Sequence, residues 1–269
     1  MGRASGGDEM RSLRVFSYGM IIFMYLPMLI LVIFSFNQSR INAAWTGFTF
    51  DWYISLINNR YVLEALGNSL IVAVSTTIIA TIFGTMAAYA FYKYRFRLRF
   101  LWKALIYLPM LIPELLMGLS LLILFSQLQI PLGKLTLILA HVTFSIPFVF
   151  LIVMTRLEDM GRELEEAAQD LGASPAQTFF KVTLPVISPS IIASMLLVFT
   201  LSLDDFIISF FVAGPNSTTL PIYIYGMIKR GITPEVNALA TLLILTTIIL
   251  VVTAEFIRRR GNKNARSIY

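Results

Sequence analysis

The sequence predicts an all-α, polytopic membrane protein whose chain crosses the bilayer six times. Hydrophobic residues make up 57% of the 269 residues and charged residues only 13%, a balance that excludes an ordinary soluble domain. Six apolar runs alternate with polar segments, and each run reaches the roughly 20 residues that a helical span needs. We therefore predict one six-helix domain at 13–257, between a polar tail at 1–12 and a basic tail at 258–269.

The first three spans are predicted at 13–36, 68–92 and 104–128. The first is too long for the apolar core of a signal peptide and is followed by no small-residue cleavage site, so we expect it to be retained. The second is rich in Ser, Thr, Ala and Gly, which allow helices to pack closely. The third is interrupted by Pro109 and Pro113, and residues 37–67 are predicted as a loop holding interfacial aromatics.

The last three spans are predicted at 135–155, 191–213 and 233–257. The loop before the sixth span contains a short amphipathic segment at 221–229. Thr233, Pro234 and Glu235 then have the pattern of a helix start: a capping residue, a first-turn proline and a first-turn acid.

Positive charge predicts the orientation. Sixteen of the 21 Lys and Arg residues fall before or at the very start of the first span, at 93–103, at 156–181 or after 257, and these segments share one side of a six-span topology. By the positive-inside rule, both termini and the loop at 156–190 are cytoplasmic, as expected for a cytoplasmic (inner) membrane protein. This bias, together with attraction to anionic membrane lipid, also explains the net charge of +6 without a nucleic-acid partner.

A polar segment at 162–189, here called the elbow, separates the fourth and fifth spans. It predicts a helix that ends at Gly172, because glycine tolerates the left-handed conformation. Ser174, Pro175 and Gln177 predict a second helix with a capping box, which we expect to stop before Pro185. The first helix should have an apolar face, formed by Met160, Leu164, Ala167, Ala168 and Leu171, opposite a polar face formed by Glu163, Glu166, Gln169 and Asp170.

Motifs for chemistry are absent from the sequence. There is no cysteine, and the single histidine, His141, cannot build a histidine metal cluster and is expected to be a packing residue. Gly133 and Lys134 are not part of a phosphate loop. We therefore expect no catalytic residue, metal or cofactor in this chain, and we expect any nucleotide chemistry to reside on another chain.

Three acids lie inside predicted spans: Glu114, Asp204 and Asp205. An Asp near the bilayer centre costs about 2.5–3.5 kcal/mol on insertion scales, so it normally faces a cavity or a partner. No basic residue is expected at a comparable depth, which favours a cationic solute. Asp204 and Asp205 would point about 100° apart on one helix, so one would line the path while the other bonds a neighbouring span. Alternatively, the acids bond backbone groups freed by prolines or hold a sister subunit.

The elbow resembles the EAA loop of ABC-type import permeases. The shared residues are Glu166, Ala167, Ala168, Gly172, Val182, Leu184 and Pro185, at the family's spacing, with valine where isoleucine is usual. In that family the loop is a coupling helix seated in a cleft of the ATPase subunit. The alternative is an ordinary amphipathic loop.

Other stretches resemble the second permease subunit of the spermidine/putrescine branch: FSFN at 34–37, YKYRFR at 92–97, FTLSLDD at 199–205, VAGP at 212–215 and TPEVNALAT at 233–241. Glu114 follows Pro113 where aspartate is more familiar. The resemblance implies a type I ABC importer permease fold and a heterodimer with a second permease. It also implies two ATPase subunits that hold ATP and Mg, and an extracytoplasmic polyamine-binding protein.

The expected function is therefore polyamine uptake, with Asp204, Asp205 and Glu114 as candidate path residues. The same kind of permease could instead carry ferric iron, sulfate or an opine, although three acids argue against an anion. A membrane scaffold that does not transport is the remaining alternative.

Overall fold

The computed structural model describes residues 5–39, 44–231 and 233–266. Within them the chain is helical, and its β pairing is an isolated bridge between Asn37 and Phe48. The elements are α1 (Ser5–Phe34), α2 (Asp51–Asn58), α3 (Arg60–Lys93), α4 (Arg99–Leu111), α5 (Glu114–Gln127), α6 (Lys134–Met160), α7 (Glu163–Asp170), α8 (Pro175–Thr178), a π-helix (Phe179–Thr183), α9 (Leu184–Asp204), α10 (Ile207–Val212), α11 (Leu220–Arg230) and α12 (Pro234–Arg266).

The all-α, six-span prediction is confirmed in the described part of the chain. Five segments are long and apolar enough to cross a bilayer: α1, α3, α6, the continuous α8–α9 segment and α12. The remaining span, the third in chain order, is a bent pair: α4 and α5 are bent by 106° at the break between them. Helices also extend into both predicted tails, since α1 begins at Ser5 and α12 ends at Arg266.

The two prolines of the third span have different effects. Pro109 lies inside α4, whereas Pro113 marks the break between α4 and α5. Ile112 is extended (φ −78°, ψ 131°), as expected for a residue that precedes proline.

One compact unit comprises residues 60–223 and 246–269. Its core includes α3, α6 and α9, with Ala80, Phe150 and Val198 fully buried. Gly84 of α3 lies so close to α6 that an added Cβ would be 2.6 Å from the Cβ of Val149. The small residues of the second span therefore allow close packing, as predicted.

The other unit comprises residues 1–59 and 224–245. The segment predicted as a loop at 37–67 instead contains α2 and the start of α3. Buried Asn37 organises the turn after α1: its side chain accepts a hydrogen bond from the Thr46 amide at 3.0 Å, and its carbonyl accepts one from the Trp52 indole at 2.8 Å. The interfacial aromatics therefore belong to a folded segment.

The start of the sixth span agrees with the sequence. α11 covers the predicted amphipathic segment, and α12 begins at Pro234 with Glu235 in its first turn. The carbonyl of Thr233 accepts the amide hydrogens of Val236 and Asn237 at 3.0 and 3.3 Å, which fixes the first turn of the helix.

Candidate functional site

The elbow has the two turns that its sequence predicts. Gly172 adopts φ +87°. Its amide donates to the Gln169 carbonyl at 2.9 Å, and the Ala173 amide donates to the Ala168 carbonyl at 3.0 Å. This pair of bonds is the Schellman arrangement, which satisfies the last carbonyls of α7.

The second helix of the elbow begins as predicted but does not end there. The Ser174 hydroxyl accepts the Gln177 amide at 3.3 Å, and the Gln177 side chain accepts the Ser174 amide at 2.9 Å. The helix then continues through the π-helix into α9, so the prediction that it stops before Pro185 was wrong. The wider π turn pairs the Leu184 amide with the Phe179 carbonyl. Pro185 is then accommodated in the first turn of α9, where its missing N–H is tolerated.

The faces of α7 differ from the prediction. Leu164 and Leu171 are 39% and 90% exposed, and Glu166 and Ala167 are exposed as well. Glu165 is the buried residue of this helix, with an exposed fraction of 2%. The predicted apolar face therefore points largely outward, and an acid points inward.

Glu165 is buried because its carboxylate is fully engaged. One oxygen lies 2.5 Å from the Lys93 ammonium at the end of α3. The other accepts a hydrogen bond from the Thr183 hydroxyl at 2.6 Å. A buried carboxylate needs such partners, because its desolvation is otherwise expensive.

The fifth span breaks beside the paired aspartates, which corrects its prediction as one helix over 191–213. α9 ends at Asp204, and Asp205 is extended (φ −64°, ψ 122°). The Asp205 carboxylate accepts the amide hydrogens of Ser209 at 2.7 Å and Ile208 at 3.4 Å. Asp205 thus caps α10, and the expected angular relation of two acids on one helix does not apply.

His141 lies at the same break. It is fully buried, and its Nε2 is 3.3 Å from the Asp205 carboxylate. Its Nδ1 is 2.7 Å from the Ser202 hydroxyl and its Nε2 is 2.9 Å from the Ser209 hydroxyl. The packing role predicted for this histidine is confirmed, but the expectation that no basic group lies near the acids was wrong.

Asp204 is oriented differently from its neighbour. Its side chain is exposed, and its carboxylate accepts a hydrogen bond from the Thr247 hydroxyl of α12 at 3.1 Å. It also stands at the C-terminal end of α9, where the partial charge of the helix is negative and favours cations. Of the two adjacent acids, Asp204 has the more exposed side chain in this chain, and that of Asp205 is 6% exposed.

Glu114 is the first residue of α5, immediately after the break at Pro113. It is exposed, and an acid at a helix N-terminus is favoured by the helix dipole. The hydrogen bonds described for Asp204 and Asp205 do not include Glu114. The structure therefore associates Glu114 with the other broken span, not with the aspartate pair.

The structure has six apolar spans, two of which are broken beside acids, and a polar helical elbow between the fourth and fifth spans. These features define a polytopic membrane transport subunit. The family described as "Binding-protein-dependent transport system inner membrane component" matches residues 80–266. The chain belongs to this family and is a multi-pass inner membrane permease subunit.

Relatives of known function are similar over nearly the whole chain. The chain is 42% identical to the spermidine/putrescine transport system permease protein PotC of Escherichia coli (strain K12) over 241 residues, which cover 90% of this chain and 91% of that protein. It is also 42% identical to the putrescine transport system permease protein PotI of the same strain over 248 residues, which cover 90% and 88%. The predicted resemblance is confirmed.

The solved structures agree on the fold. A bacterial ABC transporter involved in the import of the acidic polysaccharide alginate aligns with a TM-score of 0.72 at 17% identity, covering 95% of this chain and 98% of that chain. The fold is therefore that of an ABC importer permease, as predicted.

Proposed function

We propose that this chain forms, with a second permease subunit, a transmembrane path for spermidine and putrescine. The proposal is supported by the names of the PotC and PotI relatives, which cover about nine tenths of this chain. Separate ATPase subunits that hold ATP and Mg drive the path, and an extracytoplasmic binding protein delivers the polyamine. The termini and the elbow lie in the cytoplasm, in keeping with the positive charge of those segments.

The observation that carries the choice of cargo is the exposed Asp204 carboxylate. It lies at the end of a membrane helix whose last carbonyls have no partner within that helix. Carboxylate, carbonyl oxygens and the negative helix end together attract a cation and repel an anion. Helix ends of this kind, at breaks within spans, are where membrane transporters commonly bind ions.

The exposed surface of the elbow suits the docking of an ATPase subunit. It presents Leu171, Ala167 and Glu166 outward, around the tight turn at Gly172. The helical segment Pro175–Asp204 contains 30 residues, so at ~1.5 Å per residue it is about 45 Å long. One continuous helix thus connects the elbow to Asp204, and a displacement at one end reaches the other.

The test is ATP-dependent uptake of labelled spermidine into proteoliposomes that contain the complete complex in membrane lipid. We expect uptake that requires ATP and the binding protein, that unlabelled putrescine reduces, and that sulfate, ferric iron and opines do not reduce. ATP-dependent uptake of one of those three solutes, supplied in labelled form, together with the absence of spermidine uptake, would replace the proposed cargo. Absence of any ATP-dependent uptake would contradict the proposed function as a whole.

A further inference from the structure

The pair formed by Lys93 and Glu165 joins two elements that are far apart in the sequence. Lys93 is the last residue of α3, and Glu165 lies in the first turn of α7. The Glu165 side chain is 3% exposed and that of Lys93 is 28% exposed, at an N–O distance of 2.5 Å. Because it is shielded from water, this pair differs from an ordinary surface ion pair, which contributes little to the stability of the folded state.

The same carboxylate reaches a third element. Thr183, at the end of the π-helix, is fully buried, and its hydroxyl donates to the second oxygen of Glu165 at 2.6 Å. One side chain therefore ties the end of α3 and the end of the π-helix, which continues into α9, to α7. We call the set Lys93, Glu165 and Thr183 the latch.

Neighbouring contacts reinforce the latch on the α3 side. The Arg162 guanidinium donates to the Tyr92 carbonyl at 3.1 Å and lies 5.9 Å from the centre of the Tyr92 ring. The Tyr92 hydroxyl donates to the Gly161 carbonyl. The rings of Tyr89 in α3 and Phe179 in the π-helix are 4.7 Å apart. The last turn of α3 is thus bonded to the segment before α7 as well as to α7 itself.

We propose that the latch makes α3 and α9 move with the elbow, so that Glu165 is a positioning residue for transport although it does not face the docking surface. Turning α7 without α3 would separate the Glu165 carboxylate from Lys93 and leave a charge buried without its partner, which is strongly unfavourable. The elbow, the end of α3 and the start of α9 therefore form one mechanical body. The inference rests on the proposed function, because it assumes that an ATPase subunit moves the elbow.

The test compares ATP hydrolysis with polyamine uptake in the same proteoliposomes of the complete complex. Glu165→Gln keeps the shape of the side chain and a hydrogen-bond acceptor for Thr183 but removes the charge pair. We expect ATPase subunits to remain bound and to hydrolyse ATP, while spermidine taken up per ATP hydrolysed falls about tenfold, within the usual range of coupling between sites. The matched control is Glu158→Gln, an exposed acid near the end of α6 and outside the elbow, which should leave the ratio unchanged.

A merely structural role for Glu165 would lower the amount of assembled complex without changing uptake per ATP. An unchanged ratio in an assembled Glu165→Gln complex therefore overturns the latch. If that variant does not assemble, the same ratio is measured with Thr183→Val, which keeps both charges, and an unchanged ratio there overturns the latch equally.

The charge-reversed pair Lys93→Glu with Glu165→Lys should recover part of the ratio lost in Glu165→Gln. If the unaltered complex shows no ATP-dependent polyamine uptake, the proposed function fails, whereas normal uptake with normal coupling in the variants refutes the latch alone.

Discussion

The Thr247 hydroxyl donates a hydrogen bond to the exposed Asp204 carboxylate at 3.1 Å. This bond connects the end of α9 with the middle of α12. The bond orients the Asp204 carboxylate without burying it. The carboxylate of the adjacent Asp205, in contrast, accepts amide hydrogens of α10 and lies beside His141. Two neighbouring acids therefore have different roles, and their substitution should have different effects.

Asp204→Asn should reduce transport without disturbing assembly. The amide keeps the size of the side chain and can still bond Thr247, but it no longer attracts a cation. We expect the initial rate of spermidine uptake to fall about tenfold, equivalent to about 1.4 kcal/mol, and the rate for divalent putrescine to fall less than that for trivalent spermidine. The measurement is uptake into proteoliposomes at saturating ATP. Asp51→Asn, a change at the start of α2, is the matched control, and equal rates for Asp204→Asn and this control would remove Asp204 from the path.

Asp205→Leu should destabilise the subunit. The leucine cannot accept the Ser209 amide or face His141, and a buried polar group without a partner costs about 1–3 kcal/mol. We expect the purified complex to melt at a lower temperature, as followed by tryptophan fluorescence, and uptake to fall in proportion to the folded complex. Asp205→Asn, which keeps an acceptor for the Ser209 amide, should lower the melting temperature less than Asp205→Leu does. A melting temperature unaffected by Asp205→Leu would show that the cap is not needed.

Gly172→Ala should weaken the attachment of the ATPase subunits. The residue adopts φ +87° with no other atom within 4 Å of an added Cβ, so the cost is backbone strain alone, about 1–2 kcal/mol. Gly172→Asn should cost less, because asparagine tolerates this conformation. The measurement is the amount of ATPase that co-purifies with the permease. Gly67→Ala, in α3 with equally open surroundings, is the control and should not change the amount of co-purified ATPase. If Gly172→Ala retained as much ATPase as this control, the role of the turn would be contradicted.

Much of the elbow could be predicted because its signals are local. Gly172 and the capping box of Ser174 and Gln177 act within a few residues, and the structure contains both features. The outward position of Leu171 and the inward position of Glu165 could not be predicted, because periodicity does not show what lies opposite a face. The signal that existed was Lys93, the first cation of the basic segment after the second span, but its partner is 72 residues away.

The broken spans show a similar division. Proline predicted an interruption near Pro113, and the structure places the break there. The break at Asp205 has no proline and no glycine; it depends on the Asp205 cap and on His141, which belongs to another helix. Pro185 did not end the helix, because the wider π-helix turn before it removes the clash that a proline ring otherwise has with the preceding helical turn. A contact between distant segments decided the break at Asp205, whereas a local change of helix type decided the outcome at Pro185.

In the proposed function, the elbow is the point where an ATPase subunit drives this permease. A photo-crosslinking amino acid at Leu171, which is 90% exposed, tests it directly in the assembled complex. We predict a covalent adduct with the ATPase subunit, and no such adduct from the same probe at Tyr61, which is 70% exposed at the opposite end of the α3 span. Adducts only with lipid at Leu171, in a complex that takes up polyamine with ATP, would contradict the account.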